Sequence, residues 1–340
     1  FKDPAGVPLA HRFDVFQRNV EGAEQAVVDL TEGGKWANCY LLDEPGAASY
    51  SFEPKHVSGE GISGQLRTVE VLWETAQNTV ENLAYDQTAN KVYFTKTAGA
   101  KGNAVIALRD YNGNLLWSYH LWVTSQDVKE ISLGGVKFLD RNIGAVANTA
   151  PLAAENDAVG MFYQWGRKDP FLNSYSINSQ SVAESTVTWP ENVSSDSSHG
   201  TIEYAIANPT VFIKANDKNH DWLYTGNAAT DDTRWTLSWN IKSVYDPCPP
   251  GWRVPDGDES GGVWSRALGD SSGYTATYDT VNKGVNLSGA FGPDKTIWYP
   301  AAGCRDYFYG TLQYAGSVGH YWSASPYHYS GNGMFTNFAY

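Results

Sequence analysis

The residues able to do chemistry in this chain are few and scattered. The thiols are Cys39, Cys248 and Cys304, and the histidines number 7. A structural zinc site needs Cys or His pairs at short fixed spacing, and no Cys-x-x-Cys or matching Cys/His pair occurs. A reactive thiol needs a base or a cation beside it. Cys39 instead lies in the apolar run Trp36–Leu42 and reads as a small buried hydrophobe. No Gly-rich phosphate loop opens a helix. The chain is therefore read as non-enzymatic, with no catalytic residue assigned.

Two groups of side chains point to binding. Asp217-Lys-Asn-His-Asp221 sets the oxygens of Asp217, Asn219 and Asp221 at alternate positions, like the first half of a calcium loop. The second half fails, because Trp222 stands where that loop needs Gly and Ala228 where it needs Glu. Asp231, Asp232 and the Asp256–Glu259 cluster are further oxygen donors. Ca²⁺ is the one cofactor this chemistry offers, and solvated loop carboxylates are the alternative. The second group is aromatic: Tyr307, Tyr309, Tyr314, His320, Tyr327, His328 and Tyr329, with Gly and Ser interleaved. Two readings stand for it, ordinary β-core packing or loop rings that contact a partner. Tyr rings offer an apolar face with a polar tip, which suits stacking on sugar or protein.

Composition narrows the class. Lys plus Arg is 24 against 37 Asp plus Glu, a formal net charge of −13. Without a basic stretch, a nucleic-acid partner is not expected. Aromatic residues make up 14% of the chain and charged residues 18%, the reverse of a disordered composition. No window approaches the run of about 18 apolar residues that spans a membrane. The 33 Gly and 15 Pro argue against long helices. The fold class is mainly β, with some α.

These groups must be positioned by short strands. Ala48–Phe52, Val69–Trp73, Lys91–Thr95, Ala104–Leu108 and Leu115–Val123 read as strands. Asn112-Gly113 is a hairpin turn signal between the last two. Residues 1–26 are a lead-in segment and 27–124 a β-sandwich. Polar residues 124–129 mark the boundary to a loop-rich domain over 125–340. Two short helices are expected there, near Ala154–Trp165 and Gly262–Leu268. Pro247, Pro249, Pro250 and Pro255 stiffen a loop carrying Trp252. It reads as a structural loop that buries Trp252, with a ligand platform as the alternative.

Five segments then occur in a recognisable order: Asp140-Arg-Asn-Ile-Gly-Ala145, Tyr163-Gln-Trp-Gly-Arg-Lys-Asp-Pro170, Asp246-Pro-Cys-Pro-Pro-Gly-Trp-Arg-Val-Pro255, Trp298-Tyr-Pro-Ala-Ala-Gly303 and Tyr321-Trp-Ser-Ala324. They resemble the Fibrobacter succinogenes major paralogous domain of Bacteroidetes surface proteins, over roughly Val128 to Tyr340. Ala37-Asn-Cys-Tyr-Leu41, Gly102–Leu108 and Trp117–Val123 are similar to the β-sandwich that precedes it in fimbrillin-like proteins.

The resemblance implies a C-type lectin-like α+β domain behind a fimbrillin-type sandwich. It implies export to the outer cell surface by a leader absent from this sequence. The function implied is that of an adhesin or pilus-tip-like protein, recognising a glycan or a protein through aromatic loops. A structural pilin using β-strand addition to other pilus subunits is the first alternative. An enzyme related to formylglycine-generating enzymes, which share the fold and need two active-site cysteines, is the second. Domains of this type end on a strand bearing a further Cys, so the chain is expected to be truncated and Cys248 to lack its partner. Cys304 stands where an aromatic is commoner. No Glu-Pro-Asn or Trp-Asn-Asp tripeptide supports a calcium-dependent sugar site.

Overall fold

The computed structural model describes residues 26–43, 46, 48–124, 127–133, 136–148, 157–177, 179–215, 220–226, 233–238, 241–257, 275–289, 292–326 and 333–339. The chain is mostly β, with one short helix among the described residues.

Eight strands build a sandwich: β1 (Val28–Asp29), β2 (Cys39–Leu42), β3 (Ala48–Phe52), β4 (Thr68–Glu74), β5 (Val80–Asp86), β6 (Lys91–Lys96), β7 (Gly102–Arg109) and β8 (Leu115–Val123). One sheet runs β1-β3-β6-β5 and the other β2-β8-β7-β4. Alternation in β6 turns Val92 and Phe94 inward and leaves Tyr93 and Thr95 outward. The core is aromatic. Phe52 lies 5.1 Å from Tyr40 and 4.8 Å from Tyr119 between ring centroids. At the β7–β8 turn Gly113 takes φ 83° and the Asp110 carboxylate accepts the Asn112 and Asn114 N–H groups.

β7 and β8 are buried on both faces. Ile106, Leu108, Tyr119 and Leu121 fill the sandwich core. Asn103, Val105, Ser118, His120 and Trp122 point the other way, against the following region. There the Trp122 indole donates to the Ala145 carbonyl at 3.0 Å, and Asn103 Nδ2 to the Gly144 carbonyl at 3.0 Å. The Asp169 carboxylate accepts both Ser118 Oγ–H at 2.6 Å and Lys168 Nζ–H at 2.8 Å. His120 bonds Asn103 Oδ1 through Nε2 and Tyr163 Oη through Nδ1. Burial depresses its pKa to about 3, so it is neutral at pH 7.

The following region consists of small sheets joined by loops. Its strands are β9 (Glu130–Leu133), β10 (Val136–Leu139), β11 (Val193–Ser194), β12 (Ile213–Lys214), β13 (Thr236–Ser238), β14 (Ile241–Lys242), β15 (Thr275–Asp279), β16 (Gly284–Gly289), β17 (Gly292–Pro300), β18 (Cys304–Arg305), β19 (Leu312–Gln313), β20 (Val318–Pro326) and β21 (Gly333–Ala339). β15-β16-β17 form a meander, and the others pair in twos. The helix α1 is Ile202–Ala207, capped by Thr201, whose side chain accepts the Tyr204 N–H. The helix expected near Ala154–Trp165 is corrected, because its described part, 157–165, forms turns and loop. The one expected near 262–268 lies outside the described residues.

Indole N–H groups tie these loops together. Trp165 donates to Ser323, Trp222 to Trp165, Trp235 to Arg167 and Trp322 to Tyr163, each to a backbone carbonyl at 2.7–3.0 Å. One large side chain thus fills core volume and satisfies a carbonyl that no ladder reaches.

Candidate functional site

Two surfaces gather the aromatic residues. The first is the β18–β19 hairpin. Tyr307, Phe308 and Tyr309 occupy its loop and are 49%, 42% and 63% exposed, and Tyr314 beyond β19 is 55% exposed. These rings are not core. Their backbone is fixed: Asp306 Oδ1 accepts the N–H groups of Phe308 at 2.9 Å and Tyr309 at 2.6 Å. The Gly310 N–H bonds the Asp306 carbonyl at 2.7 Å, and the Tyr307 carbonyl accepts the Ala215 N–H at 2.7 Å. Gly310 takes φ 71°, and a Cβ there would come 2.4 Å from Asn192 Nδ2, so only glycine closes the loop against its support. His220 stands edge-on to Tyr307 at 5.3 Å.

Arg305 underlies this loop. Its guanidinium sits 4.8 Å from the Phe212 ring and 5.5 Å from Phe171, and Nε–H donates to the Gly310 carbonyl at 3.2 Å. It has no carboxylate partner among the described residues. Burial lowers its pKa to about 10, which leaves it cationic at neutral pH.

The second surface is a partly open cavity of about 550 Å³. The β9–β10 hairpin, residues from 140–148 and 158–163, the proline loop and parts of β17 and β20 wall it. The proline loop is held from inside. Asp246 Oδ1 accepts the Cys248 N–H and Oδ2 the Val254 N–H, and Lys242 donates to the Cys248 carbonyl. Asn38 of the sandwich donates to the Asp246 carbonyl at 2.9 Å. So held, the loop turns Trp252 and Arg253 to the cavity. Trp252 is half-buried, which corrects the reading that buries it.

The candidate residues separate accordingly. Tyr307 and Tyr309 share the hairpin loop, Tyr314 follows it, and His320 lines the cavity, where burial lowers its pKa. Tyr327, His328, Tyr329, Asp217 and Asn219 lie outside the described residues. Asp221 is buried with both carboxylate oxygens on Arg234, at 2.9 Å from Nη1 and 2.5 Å from Nη2. Its oxygens answer a buried guanidinium in place of the calcium proposed for them. Among the described residues, no cluster of three or more His, Cys, Asp or Glu side chains stands ready for a metal.

Cys39 and Cys248 are buried and Cys304 half-buried, all as free thiols. Burial pushes Cys304 up to about 11, so it is protonated at neutral pH. His199 is half-buried and pairs with Asp196 at 3.0 Å. Gly269-Asp-Ser-Ser-Gly273 spells Gly-x-Ser-x-Gly, a motif that acts only on a strand-to-helix turn; it lies outside the described residues.

The sequence alone did not single out Arg305, Phe308 or the cavity. Phe308 was legible beside its tyrosines. The cavity draws on segments more than a hundred residues apart.

Compared with known proteins, the chain matches no family profile, no curated protein and no solved structure.

Proposed function

We propose that this chain is a recognition protein of the cell surface, an adhesin-like subunit that grips a glycan or a protein through the β18–β19 hairpin. The observation that carries this reading is the exposure of Tyr307, Phe308 and Tyr309 on a loop whose backbone is fixed by Asp306, Ala215 and Gly310. An aromatic side chain has 150–250 Å² to bury, so covering the water-facing half of each ring yields about 2–3 kcal/mol. A loop already ordered spares a partner most of the entropic cost of fixing it.

Arg305 adds a cation to this platform, stacked on Phe171 and Phe212. Guanidinium matches the planar geometry of a carboxylate or sulfate. The partner is therefore expected to present such a group beside an apolar face. Placement on the outer surface follows the resemblance to Bacteroidetes surface proteins. Strand donation, the alternative reading, calls for an open groove in the sandwich.

The test is a glycan array carrying neutral, sialylated and sulfated glycans, read alongside attachment of the protein to target cells. Tyr307→Ala combined with Tyr309→Ala is expected to lower binding at least tenfold. Unchanged binding and attachment by that variant would refute the reading.

A further inference from the structure

The cavity has a charge arrangement opposite to that of the hairpin. Asp140 takes Arg141 through two bonds, Oδ1 to Nε at 2.7 Å and Oδ2 to Nη2 at 3.0 Å. Asp256 takes Arg253 likewise, at 2.9 and 2.6 Å. Lys137 pairs with Glu130 at the rim at 2.9 Å. Three cations therefore meet three anions, and each charged side chain on the described wall is paired. An ion entering this cavity would lose hydration and find no uncompensated charge to replace it.

The aromatic wall is equally specific. Tyr163, Tyr321 and Trp322 are half-buried on the cavity, and their polar atoms are spent on the protein: Tyr163 Oη on His120, Tyr321 Oη on the Pro300 carbonyl, and Trp322 Nε1 on the Tyr163 carbonyl. They present ring faces. Among the described residues of the wall, the Trp298 indole N–H is buried without an acceptor, and two further polar groups are uncommitted. The Trp252 indole N–H has no acceptor, and Asn148, whose Nδ2–H₂ donates to Asp140 Oδ2 at 2.8 Å, keeps its Oδ1 free. One is a donor and one an acceptor, and both belong to residues on the cavity wall.

We propose that this cavity is a second binding site, separate from the hairpin, and that it takes a neutral polyhydroxylated ring compound of the class of a non-ionic mono- or disaccharide. Such a ligand carries C–H faces that stack on the tyrosines and tryptophans and hydroxyls that both donate and accept. Its neutrality matches the paired wall. The volume lies within the range of small-ligand pockets, about 300–1,000 Å³.

The experiment titrates the full chain with cellobiose, maltose and lactose as neutral probes, and with glucuronic acid and glucosamine as charged counterparts. Calorimetry reads affinity and tryptophan fluorescence reads the wall. Saturable binding of at least one neutral disaccharide is expected, with the charged sugars at least tenfold weaker. Trp252→Phe keeps the ring and removes the donor, and Asn148→Ala removes the acceptor. Each is expected to weaken binding several-fold without moving the melting temperature. Asp256→Asn, which removes the negative charge facing Arg253, is expected to shift preference toward glucuronic acid. Failure of all three neutral disaccharides to saturate overturns the proposal, as does equal affinity for the charged sugars. Loss of disaccharide binding in the Tyr307→Ala/Tyr309→Ala variant also overturns it, because that result would move the site to the hairpin.

Discussion

The hairpin and the cavity are built from the same residue types and use them in opposite ways. On the hairpin, Tyr307, Phe308 and Tyr309 stand in water and Arg305 has no counter-ion among the described residues. In the cavity, Tyr163, Trp252, Tyr321 and Trp322 are half-buried and Arg141 and Arg253 are each closed by an aspartate. An arginine beside aromatic rings therefore says little about a site until its partner is known. The open guanidinium suits an anion on an extended partner, and the closed ones suit a neutral ligand of limited size.

Acid is expected to act most strongly where β7 and β8 pack against the following region. His120 is neutral in the folded chain, with its pKa depressed to about 3, and titrates near the ordinary value of about 6.5 once unfolded. Stability is then complete above pH 7 and drains as the pH falls from 6.5 toward 3. Chemical denaturation at pH 7 and pH 4 is expected to differ by about 3 kcal/mol from this group, and His120→Gln should flatten the dependence. The cavity wall comes next. Asp140→Ala strands Arg141, whose side chain is 2% exposed, and is expected to cost about 3–5 kcal/mol by denaturant unfolding.

The hairpin is expected to respond in binding and hardly at all in stability. Tyr307→Ala/Tyr309→Ala should leave unfolding within about 1 kcal/mol of the parent, since exposed substitutions cost little, while array binding drops. Arg305→Met makes the finest distinction. It keeps an unbranched chain against Phe171 and Phe212 and removes a cation with no carboxylate partner. Stability should move by less than about 1 kcal/mol, while binding of carboxylate-bearing glycans falls and neutral binding in the cavity is untouched.

The sandwich was the most legible part of the sequence. Alternation marked β6, and the turn Asn112-Gly113 joined β7 to β8. β5 escaped because Asn82 takes φ 55° and the register shifts between Glu81 and Ala84, which breaks the period of two. The parallel pairing of β2 with β8 depends on chain closure over some eighty residues and leaves no local mark. α1 is six residues, too short for a helical period, although Thr201 was readable as its cap.

Of the two surfaces, the Tyr-rich tract was visible but its exposure was not, because period-two runs look alike in core and loop. The cavity pairs had a local trace in Asp140-Arg141 and Arg253-x-x-Asp256. What hid the site is that its walls converge only in three dimensions.

The most direct test of the recognition account is the glycan array run on the parent chain and on Tyr307→Ala/Tyr309→Ala with their melting temperatures matched. The account predicts that the parent binds carboxylate- or sulfate-bearing glycans and that the variant loses at least nine-tenths of that signal. Equal signals from the two proteins would contradict it.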